Sequence, residues 1–268
     1  MTTKVLRFGP ARAHVPFLAT LPVAFLFLLA IAVRIEPAWG VEAAVLTWVQ
    51  SWSGIGLPSF LKLVSVVTDI GSRYVVVPGA IAAMVAAGRS RSALAFAAAI
   101  GIVTVAALSG HSLLNEIAGR VRPLPGSAEL SFPSGHTYGT TLFLGAMVFL
   151  VLRHRVRPLF AVPALAVLGT LIVSVGPSRM FLNMHWPADV VAGYVYGLLL
   201  LASLIFLYIQ FEKFSWSGLL SGLFGDRKDR TPGRLPGMNP EAIPVPEDSR
   251  IRRNPRRKLR VDGADLAP

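Results

Sequence analysis

The sequence predicts an all-α fold, a polytopic membrane bundle of six transmembrane helices, and three observations predict it. Hydrophobic residues make up 53% of the 268, charged residues only 15%, and mean hydropathy is +0.59. Apolar runs recur, each long enough to cross ~30 Å of hydrocarbon at ~1.5 Å per residue. Finally, lysine and arginine alternate in abundance between successive loops, as topology requires of chains that weave through a bilayer.

The chain opens with a basic flank, residues 1–14, holding Lys4, Arg7 and Arg12. The charge-free run Val15–Val33 follows; it exceeds a signal-peptide core and no small-x-small cleavage site comes directly after it, so it is expected to stay as an anchor. Spans are expected near 15–34, 71–88, 93–114, 135–152, 158–177 and 188–210. The second is the weakest, with Arg73 at its start and Pro78 and Gly79 inside it. Residues 35–70 are amphipathic and rich in tryptophan (Trp39, Trp48, Trp52), a composition that suits short helices in the headgroup layer. The alternative is that Leu57–Val67 dips in as part of a longer second span.

Twenty of the 26 basic residues fall in the N-terminal flank, around Arg89 and Arg91, around Arg153, Arg155 and Arg157, and after Gln210. Six fall in the other set of loops. The positive-inside rule then places both termini in the cytoplasm and requires an even number of spans. The six-span domain covers 15–210. The tail, 211–268, carries seven prolines and twelve basic residues and is expected to be largely disordered, although Phe211–Phe224 is apolar enough to lie along the inner surface. Its cluster Arg250–Arg260 would be drawn to anionic lipids or act as a solvated topogenic run. The net charge of +12 is thus a matter of loops and tail, which argues against nucleic acid as partner. With no cysteine, a disulfide or thiolate metal site is excluded.

Three polar clusters share the outer side in this topology: Asn115 to Pro123 with Arg120 and Arg122, Pro133-Ser134-Gly135-His136, and Ser178-Arg179 with His185 and Asp189. Arginine forks that converge with no competing carboxylate cage match the oxygens of a phosphate. Pro-Ser-Gly-His at a helix start offers free backbone N–H groups, close approach at Gly135 and a hydroxyl at Ser134. A plain helix N-cap is the simpler role for Ser134. Two histidines beside one phosphate suggest nucleophilic catalysis. His185, with Asp189 to orient its second nitrogen, fits the attack on phosphorus, and His136 fits the acid/base work. His136, His185 and Asp189 are formally a two-His-one-carboxylate metal set, but neighbouring arginines repel a cation, so no metal and no other cofactor is expected. His111, inside the third span, is read as a packing or hydrogen-bonding residue.

These residues resemble the type 2 phosphatidic acid phosphatase superfamily, whose members share their active site with soluble acid phosphatases and vanadium haloperoxidases. Pro133–His136 and Ser178-Arg179…His185…Asp189 match its second and third motifs at every position, and Arg122-Pro123 ends its first, Lys-x6-Arg-Pro. The resemblance covers about residues 15–210. It implies metal-free hydrolysis of a lipid phosphate or diphosphate, with His185 as nucleophile and His136 as leaving-group acid. Arg122, Arg179, Ser134, Gly135, Ser178 and Arg120 would hold the phosphate. Undecaprenyl diphosphate is the first substrate expected if the source is bacterial; a phosphotransferase, or a weakened scaffold or lipid-binding protein, is the alternative. Two departures stand out. Asn115 occupies the lysine position of the first motif, where Arg120, about one helical turn further on, is expected to compensate, and the loop Leu124–Phe132 is short.

Overall fold

A computed structural model describes residues 15–36, 39–70 and 75–213. The expectations for residues 1–14 and for the tail beyond Lys213 lie outside the described residues. The order is α1 (Val15–Ile35), α2 (Gly40–Gln50), α3 (Leu57–Ile70), α4 (Val77–Ala86), α5 (Ser90–Ala118), α6 (Gly135–Arg153), α7 (Pro158–Phe181) and α8 (Pro187–Lys213). Among the described residues the only β feature is an isolated antiparallel bridge between Val121 and Leu130.

The chain is an integral membrane protein. Helices α5 to α8 are each long and apolar enough to cross a bilayer, and α1 with α2, bent by 95° between them, makes a fifth candidate as one broken span. Leu159, Phe160, Val162, Val167 and Val173 of α7 are exposed, as are Ile102, Val105 and Leu108 of α5. Such belts are stable against lipid tails, not water.

The six-span count is therefore approximate, and the departure lies in the second span. Among the described residues of its expected position, α4 has ten, about 15 Å of helix, or half the hydrocarbon thickness. The helix before it, α3, buries Leu61, Val64, Ser65 and Thr68, and it packs against α7. Its amphipathicity reflects a polar stripe turned into protein, where Ser65 and Leu61 meet Arg179 and Ser178.

Helices α6 and α8 share the most extensive interface. Their backbones approach because Gly193 and Gly197, four apart on α8, present no side chain to α6. A Cβ at Gly193 would stand 2.9 Å from the Ser134 carbonyl oxygen, and one at Gly197 would stand 2.9 Å from that of Tyr138. Both obstacles are backbone and cannot rotate away. Gly193→Val is therefore expected to destabilise the bundle by about 1–3 kcal/mol through overpacking, seen as a lower Tm in detergent; an unchanged Tm would mean the helices are not held this closely.

Candidate active site

The ends of α1, α5 and α7 and the starts of α6 and α8 meet at one end of the bundle. Helix α5 stops at Gly119, whose left-handed φ of 58° turns the chain. Arg34 of α1 donates to the last carbonyls of α5, Glu116 and Ile117, at 3.2 and 3.0 Å. A narrow hairpin follows, with Ser131 N–H donating to Arg120 O at 2.8 Å and Arg122 N–H to Glu129 O at 3.1 Å. On this extended stretch Arg120 and Arg122, two apart, share the inward face, while Val121 between them is exposed.

Arg120 is held by two carboxylates. Its fully buried guanidinium donates to both oxygens of Glu42 and, at 3.0 Å, to Asp189, and it lies 5.0 Å from the ring centre of Trp186. Two carboxylates hold it as a strut between α2, the hairpin and α8. Arg122 is the fork that remains available. One terminal nitrogen pairs with the exposed Glu129 at 2.9 Å, and its buried Nε–H meets no protein acceptor among the described residues. Arg179, buried in the last turn of α7, donates to Ser65 at 2.7 Å. The hydroxyl of Ser178 donates to Leu61 O of α3 at 2.6 Å, which anchors α7 to α3.

Ser134 precedes α6 and makes no side-chain cap. Its hydroxyl accepts from Thr137 at 2.9 Å, which leaves its own proton to donate, and the first amides of α6, from Gly135 and His136, are not used up by it. The simple N-cap weighed for this serine is not what forms. Two bonds fix this corner: Ser134 N–H donates to Asp189 O at 3.0 Å, and His111 Nε2 lies 3.2 Å from Pro133 O. His136, in the first turn of α6, is half-buried.

His185 sits in the short turn between α7 and α8, 4% exposed. Its Nδ1 donates to Ser131 O at 2.9 Å; Asp189, expected to take that bond, is 3.7 Å away. The carboxylate has other partners. As the third residue of α8, Asp189 reaches back to the N–H of Trp186 at 2.9 Å, half of a capping box, while its other oxygen accepts from Arg120. The hairpin carbonyl therefore fixes the imidazole tautomer, with Nδ1 protonated and Nε2 carrying the lone pair, and Asp189 acts through its charge and by starting α8.

Burial, and then Arg179 and Arg122, hold the His185 pKa below its ordinary 6.5, against the opposing pull of Asp189. The ring is neutral at pH 7. A reaction that needs its lone pair therefore keeps its full rate from neutral pH down past 6.5 and loses it only below the lowered value. Between that value and 6.5 the unfolded chain binds a proton that the folded chain does not, so acidification through this window also destabilises the fold. A pH–rate profile checks this: an acid limb centred above 6.5 would contradict it.

Glu42 was missed as a site residue. It is buried on α2, accepts from Arg120 and takes the N–H of Ala188, the second residue of α8, at 2.8 Å. A signal existed: on α2 it shares a buried face with Leu46 and Val49, and a carboxylate on an apolar stripe needs a partner. Asn115, at the lysine position of the first motif, holds its side-chain oxygen buried with no partner among the described residues.

The PAP2 superfamily model matches residues 109–215, which include all three clusters. Over that segment the chain is similar to the PAP2 superfamily. Phosphatidylglycerophosphatase B of Bacillus subtilis (strain 168) is 30% identical to it over 102 residues, covering 34% of this chain. This chain spans only 47% of that relative. The crystal structure of a transmembrane PAP2-type phosphatidylglycerolphosphate phosphatase from Bacillus subtilis superposes with a TM-score of 0.55 at 23% identity. That match covers 73% of this chain and 96% of the other, and it shows that the fold is shared. Within the PAP2 segment the hairpin, the start of α6 and the α7–α8 turn form one connected corner.

Proposed function

We propose that this chain hydrolyses a terminal phosphate from a lipid phosphate or diphosphate through a phosphohistidine on His185. The observation that carries the reading is His185 itself: a neutral, buried imidazole whose Nδ1–H is held by Ser131 O, so that Nε2 is the nucleophile, within the field of Arg122 and Arg179. Phosphate oxygens take hydrogen bonds from Arg122, Arg179, Ser134 and the first amides of α6. These donors neutralise charge spreading over the transferring group, the part a metal plays in other phosphoryl-transfer enzymes. Nε2 forms the bond to phosphorus as the bond to the leaving oxygen breaks, and His136 protonates that oxygen. His136 then takes a proton from water, which attacks phosphorus and releases orthophosphate and free His185.

Charge asymmetry between the loops supports a site on the extracytoplasmic side with both termini cytoplasmic. The name of the Bacillus subtilis relative adds phosphatidylglycerol phosphate to undecaprenyl diphosphate as a candidate substrate. Phosphate release from detergent-solubilised protein over prenyl diphosphates, phosphatidic acid, phosphatidylglycerol phosphate and lipid A tests the reading. One of them should be hydrolysed, with inhibition by vanadate and indifference to chelators. Hydrolysis of none by folded protein would favour the scaffold, a reading motivated by Asn115 and by the long basic tail. Asn115→Lys returns the missing cation of the first motif and is expected to keep or raise kcat/KM; a fall of ~10-fold or more would show that Asn115 is suited to this site as it stands.

A further inference from the structure

The end of the bundle opposite His185 holds a second polar site that the reaction does not use. Helix α4 ends in a Schellman motif, with Arg89 N–H donating to Met84 O at 2.8 Å and Gly88 N–H to Val85 O at 2.9 Å. Helix α6 ends the same way: Val156 N–H reaches Val151 O at 3.2 Å and Arg155 N–H reaches Leu152 O at 3.3 Å. Here the left-handed position, usually glycine, is Arg155 with φ 50°. The two turns bring Arg89, Arg153, Arg155 and His154 around a cavity of about 510 Å³, with Ser92 and Glu212 completing the wall.

Glu212 does not cancel this charge. It is engaged by Ser92 at 2.8 Å, Tyr208 at 3.0 Å and Arg153 at 2.8 Å, while neither Arg89 nor Arg155 has an ion pair among the described residues. Nε2 of His154 is buried without a hydrogen-bond partner. Helix α5 starts at the same wall with no side-chain cap, so its first amides add to the donors. An apolar groove of about 350 Å³ adjoins the cavity and shares Arg89 and His154 with it, running between Ala80 and Met84 of α4 and Met147 and Leu150 of α6.

We propose that the groove and cavity together bind one anionic glycerophospholipid, its phosphodiester in the Arg89–His154–Arg155 cavity and an acyl chain along the α4–α6 groove. Arginines placed only to set topology need neither converge nor border a groove; these do both. Burial, Arg89 and Arg153 hold His154 below the ordinary histidine range, so its ring is neutral and can donate one bond without adding to the positive charge. The site is separate from the proposed chemistry and stands whether or not His185 is a nucleophile.

Native mass spectrometry of the purified full chain tests this, with phosphatidylserine and phosphatidylcholine of identical acyl chains in competition. Wild type is expected to retain phosphatidylserine ~10-fold over phosphatidylcholine, and Arg89→Gln/Arg155→Gln to bring the two near parity with an unchanged melting curve in phosphatidylcholine. Met147→Trp fills the groove and keeps every charge, and it is expected to weaken phosphatidylserine retention as well. Three results would each overturn the proposal: no preference in wild type, full preference in the double variant, or displacement of the lipid by millimolar inorganic phosphate, which would mark the cavity as a site for the free ion.

Discussion

His185→Ala is expected to lower phosphate release more than ~10³-fold while leaving the bundle folded, because it removes the atom that bonds to phosphorus. The structural loss is small by comparison. One hydrogen bond to Ser131 O disappears, a contribution of about 1 kcal/mol, and Asp189 keeps its bonds to Arg120 and Trp186. Steady-state kinetics beside a thermal melt separate the two effects. The expected pattern is near-zero kcat with a Tm close to wild type. Wild-type turnover in this variant would remove His185 from the mechanism.

The second large effect belongs to a residue that touches no substrate. Glu42→Ala takes one of two carboxylates from the buried Arg120 guanidinium, leaving it Asp189 among the described residues, and removes the acceptor of Ala188 N–H. Breaking a buried pair from one side costs about 3–5 kcal/mol, far more than loss of an exposed pair such as Arg153–Glu212. Because Glu42 links α2, the hairpin and the start of α8, the same change should loosen the Ser131–His185 corner, so activity falls together with Tm. Glu42→Gln keeps an acceptor for Ala188 and one for Arg120 and should recover part of both. A Glu42→Ala protein that melts like wild type would mean the strut is not buried as described.

The long spans were legible because hydropathy reads composition directly. The expected 135–152 and 158–177 lie within α6 and α7, and 188–210 within α8. The packing of α3 was not legible, since an amphipathic run has the same period whether its polar stripe faces headgroups or a neighbouring helix. Ser65 of α3 faces Arg179, more than a hundred residues away. The site residues were legible as types in clusters, and the structure brings Arg122, Ser134, His185 and Asp189 into one corner. Their partners were not legible. Nothing local to Arg120 indicates that Glu42 on another helix claims it, and nothing local to His185 shows that a hairpin carbonyl stands closer to Nδ1 than Asp189 does. Fates of this kind are decided by which groups converge in three dimensions.

The claim that His185 becomes phosphorylated is tested most directly by rapid quench with a lipid diphosphate carrying labelled terminal phosphate, followed by peptide mapping under alkaline conditions. The account predicts label in an alkali-stable, acid-labile linkage on the peptide containing His185, lost in His185→Ala. Label on another residue, or phosphate release with no label on the protein at any time, would contradict it.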